Sequence, residues 1–223
     1  MKNLLTIATL LFALTLNAQN DVTKFLGIPV DGSKAEMIQK LKAKGFTYDL
    51  YSDCLTGKFN NYDVMINVVT HNDKVWRIFI ADAEKYDRDS IISRFNNLLS
   101  QFENDPNYTA AVDQEIFLMP DWDKQTSDAI FNSHGGHACF IQEDSLNVLN
   151  KVKPLLCHKY TEHQLSNPDI ATCLDIKIEI IKYVQSAAKK LVNFKIKEID
   201  GKYVLLLYYD NLHNYAETNN NDL

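Results

Sequence analysis

Two runs of alternating side chains constrain this chain most. In Tyr62 to Thr70, the residues Val64, Ile66 and Val68 alternate with Asp63, Met65 and Asn67. In Val75 to Ala81, the residues Trp76, Ile78 and Ile80 alternate with Val75, Arg77 and Phe79. A period of two sends each set to its own face of a strand, so one face can be buried while the other meets solvent or a partner. Leu55 to Phe59 precedes these runs, and Asn60-Asn61 and Asn72-Asp73 separate them. Asn and Asp tolerate the positive φ that tight turns demand, so the three segments predict an antiparallel meander. Further on, Asp200-Gly201 stands between Val192–Ile199 and Lys202–Tyr209, which predicts a C-terminal hairpin. Val204 to Tyr209 is apolar without alternation, as expected of a central strand covered on both faces.

Helical spacing appears around the strands. Ser33-Lys34-Ala35-Glu36 is a capping box, in which Ser33 and Glu36 satisfy free amides at a helix start. Ala35, Ile38 and Leu41 follow at helical intervals, and Gly45-Phe46 supplies the stop. Asp89-Ser90 opens a second helix with the stripe Ile91, Phe95, Leu98 and Phe102, ended by Asn104-Asp105-Pro106-Asn107. Gln114–Met119 and His137–Gln142 read as strands. Asp144 to Tyr160 is helical in pattern, with a break or kink expected at Pro154. Asn167 is the expected cap of a long helix, with Pro168 at its first position and Ile170, Leu174, Ile181, Val184, Ala188 and Leu191 on its apolar face. The fold class is therefore α+β: an antiparallel β-meander with packed helices and a C-terminal β-hairpin. Residues 1–18 form a leader and 19–142 an α+β domain. Residues 143–210 supply helices and the hairpin, packed on the same domain, and 211–223 a loose polar tail.

The leader reads as an export signal. Lys2 gives the positive start, Leu4 to Leu16 is apolar apart from three threonines, and Ala18 offers a small residue before a cut at Gln19. The apolar stretch is about 13 residues, and a membrane span needs about 20. No cysteine follows the cut, so no lipid anchor is expected there. No later run is apolar for long enough to span a membrane. The product is expected in the periplasm or the secreted space, where the four cysteines meet oxidising conditions. Spacing favours a disulfide between Cys157 and Cys173, with buried free thiols as the alternative. The net charge of −6 makes nucleic acid a poor partner, because phosphates are repelled unless a basic patch is local.

The opening Phe25-x-Gly27-Ile28-Pro29-x-Asp31-Gly32-Ser33, followed by Leu41-x-x-Lys44-Gly45-Phe46, resembles a group of exported bacterial proteins of unassigned function. Leu55-Thr56-Gly57-Lys58-Phe59 is similar to the glycine-containing strand of that group, and Tyr208-Tyr209-Asp210-Asn211 is similar to its last strand. The resemblance covers the first 80 residues or so and, loosely, the C-terminal end; it implies an envelope or secreted α+β protein and no activity. The order of helix and meander is also similar to small domains of the β-lactamase-inhibitor-like and outer-membrane assembly lipoprotein groups, although the lipidated cysteine of the latter is absent here.

Candidate chemistry is sparse. His134-Gly135-Gly136-His137-x-Cys139 carries imidazoles and a thiol, which suit zinc, and Cys157-His158 or His163 could complete a site if the later helices pack nearby. The alternative is a glycine-bearing turn before a strand. Asp121, Asp123 and Asp128 flank Trp122 and read as surface acids after a proline turn. Tyr62 and Trp76 are the candidate binding residues, on the premise that they share an outer sheet face with Tyr48 and Tyr51. The expected function is a non-enzymatic binding module for a protein or another envelope ligand, with no cofactor. The alternatives are a zinc enzyme at His134 and His137, and an envelope assembly or structural factor.

Overall fold

The computed structural model describes residues 22–111, 136–187 and 189–216. Its first elements are set by local chemistry. β1 (Lys24–Phe25) and β2 (Ile28–Pro29) form a small ribbon, and Ser33 then caps α1 (Lys34–Ala43) with both halves of the capping box in place. At the other end of α1, Gly45 adopts φ +99°, its amide bonds to Lys42 O, and the Phe46 amide returns to Leu41 O. That is the left-handed cap that a glycine allows. Replacing Ser33 by Ala is expected to cost about 1 kcal/mol, read as a lower urea midpoint with an unchanged slope.

The meander follows as β3 (Thr47–Asp49), β4 (Cys54–Phe59), β5 (Tyr62–His71) and β6 (Lys74–Asp82). Asn60, Asn61, Asn72 and Asp73 all take positive φ in its two tight turns. Beyond it lie α2 (Arg88–Asn104), β7 (Thr109–Ala110), β8 (His137–Ile141), α3 (Ser145–Lys159), α4 (Glu162–Ser166) and α5 (Ile170–Ala187). The chain closes with β9 (Lys190–Ile199), β10 (Lys202–Asn211) and a helical turn, α6 (His213–Ala216). Asp200 and Gly201 take φ +57° and +74°, the left-handed pair that a two-residue hairpin requires.

Eight strands form one antiparallel sheet in the order β3-β4-β5-β6-β10-β9-β8-β7. The C-terminal hairpin thus stands between the meander and β8, and β10 is central. The inner face carries the main core: Val64, Ile66, Ile78, Ile80, Phe194, Leu205 and Leu207, with α1 and α2 laid over it. A second cluster sits on the outer face at one end, where Val148, Val152, Leu156 and Tyr160 of α3 and its C-cap cover Ile141, with Leu191 alongside. The α+β architecture expected from the sequence is present. Among the described residues, no helix is long and apolar enough to cross a membrane.

Several local expectations are corrected. The register shifts between Val69 and Thr70, so that Val69 pairs with Arg77 and Thr70 with Val75. Trp76 is left as the extra residue of a bulge, and Val75 takes the core position that strict alternation would give to Trp76. α3 runs unbroken through Pro154, which is exposed, as is Asn150, whose carbonyl the ring displaces. A proline on the solvent side leaves that carbonyl to water. The long helix is capped by Asp169, which accepts from the Thr172 amide at 2.7 Å, and not by Asn167, which ends α4. α5 presents Ile176, Ile180 and Tyr183 to the second cluster, while Ile170 and Leu174 are exposed and Leu191 belongs to β9. Its isoleucines and leucine occupy more positions than one stripe can hold, so spacing alone did not single out the buried one. Nor does the chain loosen at Asp210: Asn211 is fully buried and donates to Val30 O, and Asn214 donates to Asp31 and to Val75 O.

Candidate binding face of the sheet

The outer face of the sheet is built in cross-strand rows. Arg77, Asp210, Leu191 and Ile141 form one row, and Phe79, Tyr208, Asn193 and Cys139 the next. Ala81, Leu206, Lys195 and His137 form the third. α3 and α5 cover the far end of the first row. Beside them, Arg77, His137, Asn193, Lys195 and Tyr208 line a cavity of about 280 Å³.

Arg77 is the fixed point of this face. Its Nε and Nη2 donate to the two carboxylate oxygens of Asp210, each at 2.6 Å. The Asp210 side chain is only 4% exposed and that of Arg77 30%. The guanidinium lies over the Trp76 ring at 4.2 Å and over the Tyr208 ring at 4.9 Å. A bidentate carboxylate and two aromatic faces leave a planar cation little freedom. Asp210 favours the charged form of Arg77, whereas burial pushes the Tyr208 phenol above its ordinary value. The Lys195 ammonium stands over the other side of this cluster, 5.7 Å from the Tyr208 ring centre. Tyr208 also packs on Phe79 at 5.1 Å.

A second cavity, of about 620 Å³, opens where the N-terminal ribbon meets the end of α2 and the β8–α3 junction. Gln142 organises its floor by donating to Tyr108 Oη and to Lys24 O and accepting from the Lys24 amide. Its acids are engaged within the fold: Asp105 accepts from the Asn107 amide, Asp144 caps α3, and Glu143 pairs with Lys151.

The residues singled out in the sequence are dispersed. His134 lies outside the described residues, as do Asp121, Trp122, Asp123, Asp128 and the expected strand Gln114–Met119. His137 is exposed at the start of β8 on the outer face. Among the described residues no three histidine, cysteine or acidic side chains gather as a metal site. Tyr62 and Trp76 do not share a face. Tyr62 is half-buried on the core side, beneath Arg94 at 3.5 Å and edge-on to Tyr86. Trp76, swung out by the bulge, packs on Tyr215 at 4.7 Å. Tyr48 packs against the main core, and Tyr51 is fully exposed.

The expected bond between Cys157 and Cys173 is not present, and both side chains are thiols. Cys157 points to solvent beside the buried stripe Val152–Leu156–Tyr160, whereas Cys173 lies on the half-buried side of α5. The sequence reading included Trp76 but missed Arg77, Asp210, Asn193 and Lys195. The one signal was a charge at each of two outer-face positions, Arg77 in β6 and Asp210 in β10; their pairing depends on which strands become neighbours. No protein-family model, curated protein or solved structure matches the chain.

Proposed function

We propose that this chain is a non-enzymatic binding module that works outside the cytoplasm, in the envelope or the secreted space. Its ligand docks on the outer sheet face over Arg77, His137, Asn193, Lys195 and Tyr208. The leader-like first 18 residues support the address. The observation that carries the binding role is the Arg77 cluster. A buried carboxylate and two aromatic rings hold a partly exposed guanidinium in one orientation at the lining of a concavity. Such preorganisation lowers the entropy lost when a ligand is bound.

Site-specific photocrosslinking tests this reading. A photoreactive residue is placed at Lys195 and, as a control, at Leu50, which is 78% exposed on a different part of the surface. In exporting cells, with the processed N-terminus at Gln19 checked, position 195 is expected to give a discrete adduct that position 50 does not. No adduct, or the same adducts from both positions, would overturn the proposal.

A further inference from the structure

We infer that the outer-face cavity receives an anionic group, a phosphate or a carboxylate, carried by a larger ligand; this rests on reading that face as the docking surface. The chain as a whole is acidic, with a net charge of −6, yet the charged side chains lining this cavity are Arg77, Lys195 and the ionisable His137. Among the described residues, no aspartate or glutamate lines it. Asp210, which clasps Arg77, is almost wholly buried and spends both oxygens on it. That clasp takes the Nε and Nη2 edge of the guanidinium and leaves the Nη1 hydrogens for a ligand. Lys195 forms no ion pair among the described residues, and the Asn193 amide and the Tyr208 hydroxyl add neutral donors to the lining. The set is rich in donors and poor in acceptors, the composition that an oxyanion selects.

Size narrows the inference. Sites that enclose a whole small ligand run to about 300–1,000 Å³. A cavity of about 280 Å³ takes an acidic group and its nearest substituents, and the rest of the ligand would lie along the sheet. A polyanion such as nucleic acid is disfavoured, because its remaining phosphates would meet a chain of net charge −6.

The test is an NMR titration of the purified protein at low ionic strength, with inorganic phosphate and glutarate as separate probes and glucose as a neutral one. Saturable shifts are expected at Lys195, His137 and Tyr208, and the probe with the lower Kd identifies the acid group. Lys195→Gln is expected to weaken binding about ten-fold, which corresponds to roughly 1.4 kcal/mol. Lys197→Gln, on the same strand and face but outside the lining, should change it less than two-fold. Salt at 0.15 M should weaken it in both, since exposed charges are screened.

Absence of saturation with either anion, or equal loss in the two variants, would overturn the inference. If glucose moves these signals and the anions do not, or if position 195 crosslinks without any anion response, the anionic ligand is wrong and the docking face stands. If crosslinking and titration both fail, both fall.

Discussion

Replacing Arg94 by Met is expected to destabilise the fold by about 3–5 kcal/mol, the largest effect of any single polar change here. Arg94 and Asp82 form a salt bridge under α2 in which the side chains are 3% and 0% exposed. Asp82 also accepts the Leu205 amide at 3.0 Å, so the pair ties α2 to both β6 and β10. Arg94 also stands over the Tyr62 ring, 3.5 Å from its centre. Met fills most of the stem volume but leaves a buried carboxylate without its counter-charge. Adding Asp82→Asn removes that charge and retains a side-chain oxygen for the Leu205 amide, so the double variant should recover more than half of the loss. Urea midpoints of the two single variants and the double variant measure this. Equal midpoints for Arg94→Met and the double variant would show that the uncompensated charge is not what destabilises.

The pH dependence of that variant has a defined sign. Burial pushes the Asp82 carboxyl above its ordinary value, and Arg94 and the Leu205 amide pull it back. Without Arg94 the folded state holds the proton more tightly still. The folded state then binds more protons than the unfolded one, so stability is fully present below the ordinary carboxylate range and is lost as pH rises through the raised value. The deficit of Arg94→Met against the natural chain should therefore shrink as pH falls from 7 towards 4.

Phe194→Ala is expected to cost about 3–5 kcal/mol, the usual range for emptying a large buried aromatic site. Phe194 is fully buried on β9. Its ring lies 5.3 Å from Phe95, 5.4 Å from Phe102 and 6.0 Å from Phe140, so it joins α2 to β8 and β9. The three neighbouring rings are rigid and held on two elements, Phe95 and Phe102 on α2 and Phe140 on β8, which limits how far the site can collapse. Phe194→Leu keeps much of the volume and should cost roughly half as much. A smaller loss for Ala than for Leu would show that this ring cluster is not the centre of the core.

The second expected effect connects to how far the fold was legible. Phe194 lies in a run of period two beside Val192, and Asp200-Gly201 announces the turn that follows, so a buried strand position could be read locally. Leu55, Val64 and Ile66, and the Ser33 cap, were legible for the same reason: the information lies within a few residues. The buried stripe of α5 was not, because Ile170, Leu174, Ile176, Ile178 and Ile180 offer more than one apolar face. The candidate site was barely legible. Arg77 and Asp210 are 133 positions apart, and their pairing exists because β10 enters the sheet beside β6. The bulge that turns Trp76 toward Tyr215 comes from a register shift between strands, and strict alternation within one strand does not encode it.

By itself, the sequence determined the element types, the two tight turns of the meander, the Asp200-Gly201 hairpin, the α1 caps and the α+β class. Each of these follows from backbone preferences and side-chain periods that act over a few residues. The tertiary structure alone decided the strand order, the insertion of the hairpin beside β6, the buried Asp82–Arg94 pair and the gathering of Arg77, Asn193, Lys195 and Tyr208 on one face. These depend on which surfaces exclude water together, and that free energy is shared among elements distant in the chain, as Arg77 and Asp210 are at 133 positions apart. The candidate binding face is of this second kind, so neighbouring residues in the chain gave little sign of it.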